Sequence, residues 1–270
     1  MIKMLRLNNN CLLFFSIVLV VFSSRGSVNA EPTIHSKEQL GLQCEPARFR
    51  IAIDVGHTPE ASGAISARGV PEFNFNLSLG KVVAALLVRS GFTATQLLLT
   101  SGVGHSQLHA RTSRANDMSP DLFLSLHHDS VQHQYMSQWT VNGKSSSYSD
   151  KFAGFSIFVA SDNSFSKLSI EFAKLLSDAL TSQGLRYSLH HAEKIRGESR
   201  VLLDAGRGIY SFNQLVVLRQ TKAPAVLLEA GVIVNRAEEV ILESSEFREK
   251  ISSSVLDAIK SFCLIKQSRR

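Results

Sequence analysis

The sequence predicts a single α/β domain with a mainly parallel, mixed and twisted sheet of about six strands and helices on both faces. Short apolar runs alternate with longer segments in which apolar residues recur at helical spacing, as in consecutive βαβ units. Roughly 240 residues follow the N-terminal leader, which is enough for one domain with a full core. The sequence shows neither an internal repeat nor a linker that would divide it.

Residues 1–30 have the features of a secretory signal peptide. Lys3 and Arg6 precede an apolar run at Cys11–Phe22, which is short for a bilayer span, and Val28-Asn29-Ala30 resembles a signal-peptidase cleavage site. An uncleaved membrane anchor is the alternative. We therefore expect an exported protein without a membrane span after cleavage, located in the periplasm or, where there is no outer membrane, secreted or in the cell wall.

The charge of the chain argues against nucleic acid as a partner. The formal net charge is +6, and three of the basic residues lie in the leader, which has no acidic residue, so +3 remains after cleavage. This excess is too small for a typical nucleic-acid-binding surface. It is compatible with an anionic polymer but does not indicate one.

Two cysteines, Cys44 and Cys263, remain once the leader is removed. An exported protein can pair such residues, and the bond would tie the beginning of the domain to its end. Because sequence separation does not show whether the two Cα atoms come close, a pair of free thiols is the open alternative.

We expect a polar lead-in at 31–48, the α/β domain at 49–264 and a short tail at 265–270. The apolar run at 49–55 predicts a buried strand that ends in Val55-Gly56-His57. A loop rich in glycine and proline follows, and apolar residues at helical spacing then predict a helix at 72–89.

The remaining predicted elements alternate between strand and helix. We expect strands at 95–100, 121–127, 155–160, 214–219 and 225–229, and helices at 108–118, 164–183 and 245–263. The polar segment 130–154 predicts a loop or a hairpin, and 184–211 favours no single element.

Four side chains suited to metal binding or catalysis are expected at one edge of this sheet. His57, His127 and Glu229 each follow an apolar run, and Glu72 begins the helix after the first strand. The carboxyl ends of parallel strands share one edge, which is where ligands bind in open α/β sheets. Hydrolytic zinc sites take three histidine or carboxylate ligands and leave a position for water.

Each residue also has a structural interpretation. A lone histidine can be a hydrogen-bonded structural residue, and Glu72 can be a carboxylate that the helix dipole favours. A carboxylate after a buried strand, as at Glu229, is costly without a role or a partner. His128 adjoins His127 on the opposite face, and the residues alone do not decide between them. Five further histidines are expected outside the metal site, with the pair at 190–191 on the surface: His105, His109, His133, His190 and His191.

The chain resembles the zinc-dependent N-acetylmuramoyl-L-alanine amidases of bacterial cell walls, the amidase_3 family. The matching segments, which span about 50–262, are Ile53-Asp54-Val55-Gly56-His57, Gly69-Val70-Pro71-Glu72, Arg111 with Arg114-Ala115-Asn116, Asp121 to Asp129, and Pro224 to Gly231 with Asn235. The resemblance implies Zn²⁺ on His57, Glu72 and His127, with Glu229 as the catalytic carboxylate. It also favours His127 over His128, because His128 falls on the alanine of the family pattern Ser-Ile-His-Ala-Asp.

The implied reaction is hydrolysis of the amide between N-acetylmuramic acid and L-alanine in peptidoglycan, with an activator protein as an optional partner. The sequence departs from the family at Val55, which replaces a proline, and at Thr58-Pro59, which replace two glycines. Some relatives carry an inserted helix that blocks the zinc, and we expect none after the strand at 155–160. The alternatives are a different zinc hydrolase of the envelope, such as a peptidase, and a wall-binding protein without activity.

Overall fold

The computed structural model describes residues 44–268. The predicted signal peptide at 1–30, most of the lead-in at 31–48 and the last residues of the tail at 265–270 lie outside the described residues. The domain limits at 49–264 therefore stay a prediction. Among the described helices, none combines the length and apolar character that crossing a bilayer requires.

The described chain alternates between strands and helices through most of its length. The strands are β1 Ile51–Val55, β2 Thr95–Leu98, β3 Leu122–Asp129, β4 Ser137–Val141, β5 Lys144–Tyr148, β6 Ser156–Val159, β7 Val201–Asp204, β8 Ile209–Ser211 and β9 Ala225–Val232. The helices are α1 Glu72–Arg89, α2 Gly104–Asp117, α3 Ser166–Ser182, α4 Val216–Arg219, α5 Arg236–Leu242 and α6 Ser245–Gln267.

Seven of these strands form one mixed sheet in the order β2-β1-β3-β9-β6-β8-β7. The four strands β2, β1, β3 and β9 are parallel, β6 runs antiparallel to β9, and β7 runs antiparallel to β8. The predicted α/β fold is confirmed, with seven strands in place of about six. The parallel half places the carboxyl ends of β1, β3 and β9 on a common edge.

Both faces of the sheet are covered, which explains why β1 is a continuous apolar run. Alternate strand residues such as Ile53 and Leu124 pack with helices α1, α3 and α6 in the larger core cluster. The other face, with Ala52 and Phe123, packs with residues from α2 and α4 in the smaller cluster. A strand buried on both faces needs apolar side chains at every position except those that have polar partners.

The segment 214–219 forms no strand, so this prediction was wrong. Its residues Val216–Arg219 form a single helical turn, α4, with Val217 and Leu218 buried. A short run of this kind is apolar whether it forms a strand or a helical turn, so its hydrophobic periodicity could not distinguish the two. The additional strands come from the undecided segment 184–211, which contributes β7 and β8.

A hairpin, β4–β5, forms the middle of the polar segment 130–154. Its Trp139 donates its indole N–H to the carbonyl of Ala67, and it contacts the guanidinium groups of Arg68 and Arg236. These contacts hold the hairpin against the loop that precedes α1. The connection between β6 and α3 consists of residues 160–165 and carries no inserted helix.

Cys44 and Cys263 form a disulfide whose Cα atoms are 5.4 Å apart. The bond joins the chain just before β1 to helix α6 across a sequence separation of 219 residues. Closing so long a loop restricts the unfolded chain strongly, and such bonds typically stabilise a fold by about 2–4 kcal/mol. The structure therefore contains the disulfide and not two free thiols. A disulfide suits a protein in an oxidising compartment.

Candidate metal centre and active site

Three predicted ligands meet at the edge of the sheet. The Nε2 atom of His57 lies 2.9 Å from Glu72 Oε2, and His127 Nδ1 lies 3.0 Å from Glu72 Oε1. One ligand atom from each residue falls within 4.8 Å of the other two. Two imidazoles and a carboxylate at this spacing are a donor set that fits Zn²⁺.

The backbone around His57 is shaped to let these side chains converge. His57 has a φ of +66°, which is uncommon for a residue with a side chain and is often found at functional sites. A Cβ atom on Gly56 would lie 2.5 Å from the His127 ring. A Cβ on Gly63, which has a φ of +79°, would overlap Glu72 Oε2. Both glycines are therefore needed for the close approach of the ligands.

Glu72 is buried at the start of α1 and is held by several donors. The amide of Ala64 donates to Oε2 at 3.1 Å, and the Asn76 side chain donates to Oε1 at 3.0 Å. Burial raises the pKa of Glu72, but hydrogen bonds from His127 and His57 outweigh it and hold the pKa well below its usual value. Glu72 is thus kept ionised, as a metal ligand must be.

A buried ion pair supports His127 from the side opposite Glu72. Arg111 donates through Nε to Asp54 Oδ1 at 2.9 Å and makes a second, shorter contact through Nη2 with Asp54 Oδ2. The Ser125 hydroxyl also donates to Asp54, and Arg111 Nη2 lies 3.4 Å from His127 Nε2. Burial lowers the pKa of His127, which favours the neutral ring that can bind a metal.

His128 points to the other face of β3, away from the three ligands. Its Nδ1 atom lies 2.7 Å from Asn76 Oδ1, and its ring contacts Phe75. Burial lowers the pKa of His128 to about 4, so the ring is neutral near pH 7. The structure groups His127, and not His128, with His57 and Glu72.

Glu229 lies beside His127, because the two residues are register partners on the neighbouring strands β9 and β3. Neither residue ends its strand, since β3 continues to Asp129 and β9 to Val232. Among the described residues, buried Glu229 Oε2 has no hydrogen-bond partner. Burial, with the negative charges of Asp129 and Glu72, raises the pKa of Glu229 well above its usual value.

A cavity of about 360 Å³ opens at this edge of the sheet. Polar side chains from the predicted centre and from the segment 191–200 line it, including His57, His127, Asp129, His191, Glu198 and Glu229. Apolar side chains from β6, β9 and the loop after β8 complete it, including Phe158, Leu227 and Phe212. None of its lining residues comes from hairpin β4–β5.

His190 and His191 are buried, which corrects the prediction that they lie on the surface. Both rings lie near the Asp129 carboxylate, and His191 Nδ1 is 2.9 Å from Glu198 Oε2. Burial lowers the pKa of His191, but the neighbouring Asp129 and Glu198 raise it to about 9. The sequence alone carried no sign of this grouping, because 61 or more positions separate the pair from Asp129.

Asn76 is a further site residue that the sequence analysis did not select. It lies four positions after Glu72, on the same side of α1, and it also donates to the Gly56 carbonyl at 3.2 Å. The i,i+4 spacing from a predicted ligand could have identified it.

The family model for N-acetylmuramoyl-L-alanine amidases, Amidase_3, matches residues 51–261. The chain belongs to this amidase family. The match includes the loop, strands and helices that carry the four predicted site residues. Membership supports a peptidoglycan amidase function for the chain.

Relatives of this amidase include AmiA of Escherichia coli K12, an N-acetylmuramoyl-L-alanine amidase, at 27% identity over 239 residues, 78% of this chain and 75% of AmiA. An endolysin of Bacillus phage SPP1 is also 27% identical, over 80% of this chain and 66% of the endolysin. These similarities cover most of the chain.

Solved amidase structures share the fold. The N-acetylmuramoyl-L-alanine amidase of Clostridium difficile 630 superposes with a TM-score of 0.59 at 20% identity, covering 79% of this chain and 96% of that one. Ami1 of Mycobacterium smegmatis superposes with a TM-score of 0.60 at 20% identity, covering 81% and 98%.

Proposed function

We propose that this amidase uses Zn²⁺ to hydrolyse the amide bond between N-acetylmuramic acid and L-alanine in peptidoglycan. The observation that carries the proposal is the convergence of His57, Glu72 and His127, with Glu229 beside them. Family membership supports the choice of bond. We assign the metal to His57 Nε2, the Glu72 carboxylate and His127 Nδ1.

When bound, Zn²⁺ supplies Lewis-acid chemistry, which polarises the scissile carbonyl and acidifies water. The protein's part is to fix the ligands and to move protons. Asn76 and the Ala64 amide orient Glu72 by hydrogen bonding, and the Arg111–Asp54 pair lies beside the His127 ring. Such supporting contacts typically change metal affinity by about 10- to 100-fold when they are removed.

Glu229 is assigned the proton transfers. One of its carboxylate oxygens is buried without a described partner, so it is free to accept a proton from the attacking water. Its raised pKa lets the carboxyl keep that proton until the amine departs, and the same group then donates it. A single residue can therefore serve first as base and then as acid.

The cellular role that we propose is cell-wall remodelling, including daughter-cell separation, in the periplasm or outside the cell. The disulfide and the predicted leader support export. An activator protein is a proposal too. One similar structure, the CwlD amidase of Clostridioides difficile, is a complex with the GerS lipoprotein.

Mass spectrometry of digested peptidoglycan tests the proposal. We expect the zinc-loaded protein to release stem peptides with a free L-alanine amine and to leave glycan strands without peptides. A chelator should abolish both products, and Zn²⁺ should restore them, because the three ligands hold the ion that acts on the carbonyl.

The two rival functions give different products in the same digest. A peptidase would shorten stem peptides that stay attached to muramic acid. A protein that only binds the wall would sediment with peptidoglycan and release nothing. Either pattern, from protein that carries zinc, would overturn the proposed amidase activity.

A further inference from the structure

A second cluster with metal-ligand geometry lies on the same cavity, outside the three ligands assigned above. It consists of Asp129, His190 and His191, and we refer to it as the Asp129 cluster. One ligand atom from each residue lies within 4.8 Å of the others. Asp129 ends β3, whereas the two histidines form a 3-10 turn at 190–192, so the cluster joins two distant parts of the chain.

Both imidazole rings direct the same nitrogen toward Asp129. His190 Nε2 lies 3.1 Å, and His191 Nε2 lies 2.8 Å, from Asp129 Oδ2. Two ligands on a tetrahedral zinc, each about 2.0–2.1 Å from the ion, are themselves roughly 3.3 Å apart. Both nitrogen–oxygen distances are therefore close to this spacing, and the ligand atoms all lie within 4.8 Å of one another.

The opposite nitrogen of each ring has its own partner. His190 Nδ1 is 2.7 Å from the Ser188 hydroxyl, and His191 Nδ1 is 2.9 Å from Glu198 Oε2. A histidine that binds a metal through one nitrogen almost always uses the other for such a contact, often with a carboxylate. Both rings of the Asp129 cluster show this arrangement.

His190 distinguishes a metal site from a simple ion pair. A charged His191 paired with Asp129 and Glu198 would explain the position of the His191 ring, but not that of the His190 ring. The His190 side chain is 2% exposed, and among the described residues its Nε2 makes no hydrogen bond, despite its distance to Asp129. Because this nitrogen lies 3.1 Å from Asp129 Oδ2 without hydrogen-bond geometry, a metal ion bound between the two atoms would satisfy both of them.

Aromatic rings fix the orientation of both histidines. Phe152 stacks on His190 with ring centroids 4.9 Å apart, and Phe158 contacts the edge of His191 at 4.8 Å. The two imidazoles are themselves 3.9 Å apart. Because the rings are held by packing, the cluster is organised before any ion arrives.

We propose that Asp129, His190 and His191 bind a second divalent transition-metal ion, of which Zn²⁺ is the one to test. Two imidazoles and a carboxylate suit zinc. The Asp129 and Glu198 carboxylates lie on opposite nitrogens of His191, so a divalent cation at Asp129 would take the place of the proton that this ring carries there. The cavity gives the ion access, because Asp129 and His191 both line it.

The second ion would secure one wall of the cavity. Gly197, Glu198 and Arg200 line it and follow closely on the two histidines. Binding to Asp129 would tie this segment to the end of β3. The exposed residues Lys194 and Arg196 lie in the same segment and are sites for trypsin.

Zinc content per chain, measured on purified protein after loading and gel filtration, tests the second site. We expect two equivalents in the parent, and one each in His190→Ala, His191→Ala and His127→Ala. The double variant His127→Ala/His191→Ala should bind none. Trypsin should cut after Lys194 or Arg196 at least about tenfold faster in His191→Ala than in the zinc-loaded parent, because an ordered segment must open locally before cleavage.

His133→Ala, which removes an exposed histidine from the neighbouring loop, is the matched control and should keep two equivalents. Circular dichroism establishes that each variant is folded, and Co²⁺ absorption of folded His127→Ala reports the second site by itself. One equivalent in the parent with none in His127→Ala would overturn the second site and leave the proposed amidase function intact. An unchanged zinc content in both His190→Ala and His191→Ala would overturn it as well.

Discussion

Replacing Glu229 with Gln is expected to lower amide hydrolysis by about 10²- to 10⁴-fold, the usual contribution of a general acid–base residue. The amide keeps the shape of the side chain but cannot take a proton from water or return one to the leaving amine. Since Glu229 is not assigned as a ligand, the zinc content should equal that of the parent. Release of stem peptides and metal analysis of the same sample measure both quantities.

The matched control is Glu249→Gln, which makes the same chemical change on the exposed surface of α6. It should hydrolyse peptidoglycan at the parent rate. If Glu229→Gln were as fast as Glu249→Gln, the proton transfers would have to be assigned to another residue. If Glu229→Gln lost zinc, Glu229 would be a ligand and its proposed role would be wrong.

Replacing His127 with Ala is expected to remove one equivalent of zinc and to reduce hydrolysis to background. His128→Ala should keep the parent's zinc content, because His128 faces Asn76 on the other side of β3. Asn76 would lose one of its partners in that variant, so we expect about tenfold weaker zinc affinity. Competition with a chromophoric chelator measures the two affinities.

The comparison of His127→Ala with His128→Ala is stringent, because the same change is made at two adjacent buried positions. Thermal unfolding of both variants separates loss of fold from loss of metal. Equal zinc loss in the two folded variants would contradict the assignment of His127. Loss in His128→Ala alone would place the ligand on the opposite face of the strand.

The convergence of His57, Glu72 and His127 could be predicted because it depends mainly on topology. Parallel strands bring their carboxyl ends to one edge, and the helix after β1 returns there. The alternation of side chains along β3 separates His127 from His128, but the residues alone did not show which one faces the edge. The family resemblance favoured His127, and the geometry groups that residue with the other two.

Other features depend on contacts that no local pattern records. The sequence predicts a strand at 214–219, because an apolar run this short does not reveal that its residues form a helical turn. His190 and His191 lie in a polar stretch, and only the tertiary fold brings them to Asp129. Position 63 requires a glycine because a Cβ atom there would overlap Glu72, and this steric contact cannot be predicted from the sequence.

Anomalous X-ray diffraction at the zinc edge, from crystals of the zinc-loaded protein, tests the central claim most directly. We predict a peak about 2.0–2.2 Å from His57 Nε2, a Glu72 carboxylate oxygen and His127 Nδ1, with Glu229 facing it across the cavity. An active, zinc-loaded protein whose anomalous density lies elsewhere, with these three side chains unliganded, would contradict the account.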